Sequence, residues 1–188
     1  TSYQQDKTIL NERLADKIEP RRESNYANLF IKNSKTRIYL QPNQANEYAG
    51  TYFAGNNYLS DTSAVWKPLY TLSDSILSFL EDGTNYYFIC NKGNGFKSLK
   101  KTSFINPDFA NATTLVKQDT TWQLESIEMT KSYILASYSN YGFLNKMVII
   151  NKHTNGTMPV KSLEKFDRFF ILGLESETDN CFVQLPSV

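Results

Sequence analysis

Gly83-Thr84-Asn85-Tyr86-Tyr87-Phe88 leads from a polar turn into an apolar run of strand length, and it is one of four such passages in the chain. The others are Lys35-Thr36-Arg37-Ile38-Tyr39-Leu40, Thr130-Lys131-Ser132-Tyr133-Ile134-Leu135 and Thr178-Asp179-Asn180-Cys181-Phe182-Val183. With Ile38, Tyr86, Tyr133 and Cys181 taken as equivalent, the spacings are 48, 47 and 48 residues. An apolar run precedes each turn, and a third and fourth strand-like run follow where the chain continues far enough. Four strands at such a period is the pattern of a propeller blade, between WD-type repeats at about 40–45 residues and kelch at about 50.

The period predicts an all-β chain: a partial β-propeller of about three four-stranded antiparallel blades plus part of another. The blades fall at 21–72, 73–117 and 118–163, a half blade at 164–188, and residues 1–20 read as the outer strand of a preceding blade and a linker. The innermost strands are expected at 26–31, 76–80, 124–128 and 169–174, with third strands near 51–58, 96–104 and 143–151. Fourth strands are expected at 67–72, 113–117 and 159–163. The segment 6–18 carries Ile9, Leu10, Leu14 and Ile18 in near-helical spacing, and it reads equally as a short strand before a charged stretch. A β-sandwich with evenly spaced strands is the alternative architecture.

Composition agrees with β structure and narrows the function. The chain of 188 residues holds 12 Tyr, 12 Phe and 2 Trp against 8 Gly, and aromatic residues in short runs suit a pleated, half-buried surface. Its 20 basic and 19 acidic side chains leave a net charge of +1, too little field to gather phosphates or an anionic bilayer, so neither nucleic acid nor membrane is an expected partner. The basic pairs Arg21-Arg22 and Lys100-Lys101 are short and lack regularly interleaved aromatics. Apolar runs such as Met147-Val148-Ile149-Ile150 are far below the roughly 18 residues that cross a bilayer. The first residues carry neither an initiator Met nor a signal-peptide pattern, so the chain reads as cut from something longer, with cytoplasm and periplasm both open.

Little in the chain carries chemistry. No G-x-S-x-G elbow exists to expose a nucleophilic serine. The lone histidine, His153, sits in Asn151-Lys152-His153-Thr154-Asn155-Gly156, a tight-turn sequence, and is expected to be a solvated turn residue. Cys90 and Cys181 fall on second strands two blades apart, so both are expected to be buried free thiols, with no evident cationic neighbour to favour thiolate. Glu125 and Glu128 are an odd number apart on one strand and are expected to face opposite sides. Glu81-Asp82-Gly83 and Glu175-Ser176-Glu177 read as solvated hairpin acids, and Asn94-Gly95 as a hairpin loop without the following helix a phosphate loop needs. No catalytic, metal-binding or cofactor-binding residue is expected.

From Trp66 to Val188 the sequence resembles the propeller domain of the prolyl oligopeptidase family of serine peptidases. The resemblance rests on Asp82-Gly83-Thr84-Asn85-Tyr86-Tyr87-Phe88-Ile89-Cys90-Asn91-Lys92, on Thr114-Leu115-Val116 and Leu124-Glu125-Ser126-Ile127, and on Tyr133-Ile134-Leu135-Ala136-Ser137-Tyr138 and Met147-Val148-Ile149-Ile150-Asn151, in the family's order. Asp6-Lys7-Thr8-Ile9-Leu10-Asn11-Glu12 and Arg37-Ile38-Tyr39-Leu40 fit it more weakly. It implies a parent enzyme in which an α/β-hydrolase domain carries the Ser-Asp-His triad and a propeller of about seven blades admits only short peptides, cleaved after proline. This chain holds about three and a half blades and no hydrolase domain, so no catalytic residue of the family carries over. The implied partners are that absent hydrolase domain, the parent's peptide substrates, and a second copy met through exposed blade edges. The rival function is a self-sufficient propeller module that binds a protein or glycan; an independent glycosidase-like propeller stands third.

Overall fold

The structure is a computed structural model that describes residues 27–32, 36–42, 50–55, 65–92, 95–140, 144–163, 169–174 and 177–185. The segment 6–18, the strand expected within 1–20, Arg21-Arg22, Asn94 and Glu175-Ser176 lie outside the described residues. The chain divides into two compact units, Thr1–Ser73 and Asp74–Val188.

In the first unit β1 (Ala27–Ile31), β2 (Arg37–Pro42), β3 (Thr51–Gly55) and β4 (Lys67–Tyr70) form one antiparallel sheet in chain order. Pairing sets Ile38 opposite Ala54 and Leu40 opposite Tyr52, and Trp66 completes a small core on that face. On the other face Phe30 stacks on Tyr39 with ring centroids 5.6 Å apart, and the Arg37 guanidinium lies 4.4 Å from the Phe53 ring centroid. Pro68 stands in β4, an edge strand, where its missing N–H interrupts no central ladder.

The second unit repeats the arrangement. One sheet is β5 (Ile76–Glu81), β6 (Asn85–Cys90), β7 (Ser98–Ser103) and β8 (Thr113–Val116), and the next is β9 (Gln123–Met129), β10 (Tyr133–Asn140), β11 (Leu144–Asn151) and β12 (Thr157–Pro159). A hairpin of β13 (Phe170–Leu174) and β14 (Cys181–Gln184) follows.

The run Tyr86-Tyr87-Phe88-Ile89-Cys90 does not alternate apolar with polar, which is the mark of a strand covered on both faces. Tyr87 and Ile89 pack against Leu124, Ile127 and Met129 of β9 and Ile134, Ala136 and Tyr138 of β10. Tyr86 and Phe88 point the other way, where their rings meet Phe79, Phe104 and Phe109 at centroid distances of 5.1 to 6.0 Å. Strand β10 is divided in the same manner. Ile134 and Ala136 belong to the core shared with β6, whereas Leu135 joins Met147, Leu163 and Phe169, with Cys181 and Val183 of β14 against them. The β9–β12 sheet is therefore packed on both faces, by β5–β8 on one and β13–β14 on the other. A two-sheet sandwich leaves each sheet an outer face in water, so the serial stack rejects the sandwich and makes the fold a partial β-propeller.

The second strands begin at Arg37, Asn85, Tyr133 and Cys181, a constant spacing of 48. The turn bonds agree: Asp82 N donates to Asn85 O at 3.2 Å as Thr130 N does to Tyr133 O at 2.9 Å, and Phe104 N donates to Thr84 O as Lys152 N does to Ser132 O. Tyr133 thus matches Asn85, not Tyr86. The spacing of 47 expected from sequence is a one-residue slip, and in a strand such a slip assigns every side chain to the wrong face. No described helix is long and apolar enough to cross a membrane.

Candidate functional site

The turn between β5 and β6 is built by its acids. Asp82 Oδ1 accepts from Thr84 N at 3.0 Å and Asn85 N at 2.9 Å, and Gly83, at φ 80°, takes the left-handed conformation that a side chain disfavours. Glu81 Oε2 accepts from Gly83 N at 3.0 Å, with Glu81 fully buried. Asp82 Oδ2 accepts from the Tyr87 hydroxyl at 3.2 Å and lies 3.4 Å from Lys152 Nζ of the following sheet. Glu81 and Asp82 are therefore not the solvated hairpin acids expected; their carboxylates tie the turn inward and across to the neighbouring sheet. Glu177 is exposed as expected. Burial, reinforced by the Asp82 carboxylate, pushes the Tyr87 phenol well above its ordinary range.

A parallel link joins the next two sheets. Asp179 Oδ1 accepts from Ser132 N at 2.7 Å and Thr130 Oγ1 at 2.9 Å, while Lys131 N donates to Thr178 O. The Ser132 amide, followed by the Thr130 and Ser132 side chains, holds the Asp179 carboxyl below its usual value despite some opposing desolvation.

Among the described residues, clefts open on the second unit. The first, of about 260 Å³, is lined by Glu125, Ser126, Glu128, Ser137, Asn145 and Phe169 among others. Glu125 and Glu128 meet there, against the expectation of opposite faces. The reason is a β-bulge: Ser126 pairs with Ser137 and Leu124 with Tyr138, so Glu125 is an extra residue and the alternation is reset. Glu125 Oε1 accepts from Ser139 Oγ at 2.6 Å and Oε2 pairs with Lys97 Nζ at 3.2 Å. Both oxygens being engaged, Glu125 acts here as a link between β9, β10 and the loop before β7, not as an available acid or base.

The second cleft, of about 420 Å³, lies over β6, β7 and β8 and gathers Lys92, Lys100 and Lys117 around Cys90, Ser98, Thr114 and Gln118. The Cys90 thiol donates to Asp74 O at 3.6 Å. Lys92 follows Cys90 by two residues, whereas Lys100 is brought to the same cleft by strand register: Cys90 pairs with Ser98, and Lys100 lies two residues on along the same face. Lys101 faces away and its Nζ donates to Asn155 Oδ1 at 2.9 Å, so Lys100-Lys101 is not one basic patch. Both cysteines are free thiols, Cys90 buried and Cys181 half-buried; burial and the nearby Glu128 raise the Cys181 thiol. His153 is exposed in the β11–β12 turn, where its amide donates to Asn151 Oδ1 at 2.9 Å. Among the described residues no three His, Cys, Asp or Glu side chains converge as a metal site.

No protein-family model and no curated protein sequence matches the chain. Solved structures do. Prolyl oligopeptidase B from Galerina marginata superposes with a TM-score of 0.67 at 11% identity, over 86% of this chain and 23% of that one. The chain has the propeller fold of prolyl oligopeptidase. The same Galerina marginata enzyme bound to a 35-residue hydrolysis and macrocyclization substrate gives 0.66 at 10% identity, covering 85% of this chain and 23% of that one. Oligopeptidase B from Trypanosoma brucei, with covalently bound antipain in a closed form, gives 0.54 at 9% identity over 73% of this chain and 19% of that one. The chain spans about a fifth of the length of these peptidases. At such identities the likeness is one of fold.

Proposed function

We propose that the chain is a non-catalytic stretch of the propeller of a prolyl oligopeptidase-like serine peptidase, where it restricts access to a separate α/β-hydrolase domain so that only short peptides reach it. The observation that carries this reading is the fold match at a TM-score of 0.67 over 86% of the chain, in a sequence without a G-x-S-x-G elbow. A filter needs blades that do not separate, and the polar links between successive sheets supply that stiffness. The exposed Gln123, Glu125 and Ser126 of β9 would line the peptide's path. Phe182 is 58% exposed on β14, an apolar surface that a further blade or a second copy would cover.

Two measurements test the proposal. The purified chain is expected to leave a chromogenic peptide with proline before the leaving group uncleaved; turnover would overturn the non-catalytic assignment. The reading frame beyond Val188 is expected to encode a G-x-S-x-G elbow and then an Asp and a His. A stop codon directly after Val188 would overturn the peptidase parentage and favour a self-contained binding module.

A further inference from the structure

The cleft over β6–β8 belongs to none of the links described above, and its charge is one-sided. Its lining holds three ammonium groups, Lys92, Lys100 and Lys117, and no carboxylate. Neighbouring lysines are neutralised locally: Lys97 by Glu125, Lys146 by Asp119 and Lys152 by Asp82. Among the described residues Lys92, Lys100 and Lys117 have no such partner. Like charges drawn together around one cleft repel unless a counter-charge is present, and a concave wall concentrates their field. Neutral polar groups complete the lining. The Thr114 hydroxyl is on an exposed strand position, and Gln118 spends one amide hydrogen on Phe96 O at 2.8 Å while keeping the second.

We propose that this cleft binds a small phosphate-type oxyanion. Three point charges with rotatable donors suit a multiply charged anion whose oxygens spread in several directions, better than a single planar carboxylate, for which an arginine fork is the fitting partner. The net charge of +1 for the whole chain argued against phosphate partners in general; the cleft shows that a balanced total conceals a local excess.

The test is calorimetric titration of the full chain with inorganic pyrophosphate at low ionic strength, repeated on Lys100→Gln, Lys117→Gln and, as a remote control, Lys161→Gln. Saturable binding is expected, weakened about tenfold by loss of either cleft lysine, the equivalent of ~1.4 kcal/mol, unchanged by Lys161→Gln, and reduced by added salt. Lys117 is exposed, so Lys117→Gln keeps the test valid even if Lys100→Gln perturbs the sheet. Absence of saturable heat up to about 10 mM pyrophosphate, or equal affinity in the lysine variants, would overturn the proposal. Tighter binding of a hexaglutamate peptide than of pyrophosphate would also overturn it, in favour of an acidic polypeptide as the ligand. None of these outcomes depends on the peptidase parentage.

Discussion

Lys152 Nζ lies 3.4 Å from Asp82 Oδ2, and this pair joins the β11–β12 turn of one sheet to the β5–β6 turn of the sheet before it. The side chains are only 8% and 19% exposed, so water neither screens the attraction nor solvates a charge left alone. Removing one partner therefore costs more than the pair contributes. Lys152→Met is expected to destabilise the chain by about 3 kcal/mol, with Asp82→Asn similar because it also weakens the bonds from Thr84 N and Asn85 N. The double variant should recover part of the loss. Urea unfolding measures all three, and strictly additive losses would show that the charges do not interact.

The two faces of β10 give a second expectation. Ile134 packs toward β6 and Leu135 toward β14. Each truncation to Ala should cost about 2–5 kcal/mol, but at different interfaces. Amide exchange in Ile134→Ala should rise across β6 and β9, and in Leu135→Ala across β13 and β14. Identical exchange patterns would contradict a sheet packed on both faces.

The stack was legible in the sequence because four turn-to-strand passages recur 47–48 residues apart, and the run Tyr86-Tyr87-Phe88-Ile89-Cys90, apolar on both sides, agrees with a strand covered on both sides. The register between blades was less legible, since Thr130 replaces Asp82 as the turn's first residue and hides the match of Tyr133 with Asn85. The link from Asp82 to Lys152 was not legible at all: it spans two sheets, and nothing near either residue in the chain announces the other. The cleft lysines share that property, being neighbours across strands and not along them.

Stability should respond to pH at both ends. The folded-state carboxyl of Asp179 is depressed, so its contribution is present above the ordinary Asp value of 3.8 and is lost as pH falls through the lowered folded value. Asp179→Asn should flatten that acid limb. Tyr138 is opposite in sign: burial, then the Asp119 charge, pushes its phenol up to about 12 from 10.0, so its contribution holds below 10.0 and is lost as pH rises through about 12. Unfolding midpoints across pH, with tyrosinate absorbance followed in Tyr138→Phe, check both. Because the Tyr138 hydroxyl is buried without a hydrogen-bond partner among the described residues, Tyr138→Phe should be neutral or stabilise by up to about 1 kcal/mol near neutral pH.

The bulge at Glu125 makes the sharpest prediction, because deletion and substitution separate two roles of one residue. On either side of it the ladder is already in register, Ser126 with Ser137 and Leu124 with Tyr138. Deleting Glu125 would join these halves into a regular strand, keep Leu124 and Ile127 in the core, and remove the contacts to Lys97 and Ser139. The Lys97–Glu125 pair is open to water on the Glu side, 44% exposed, so its loss should cost no more than about 1 kcal/mol. The deletion variant is therefore expected to fold cooperatively with nearly the stability of Glu125→Gln. Were Glu125 an ordinary ladder residue, removing it would turn one half of β9 inside out and bury Gln123 in place of Leu124. Loss of the cooperative transition in the deletion variant, with Glu125→Gln still folded, would mean that β9 carries no bulge and that Glu125 and Glu128 do not share a cleft.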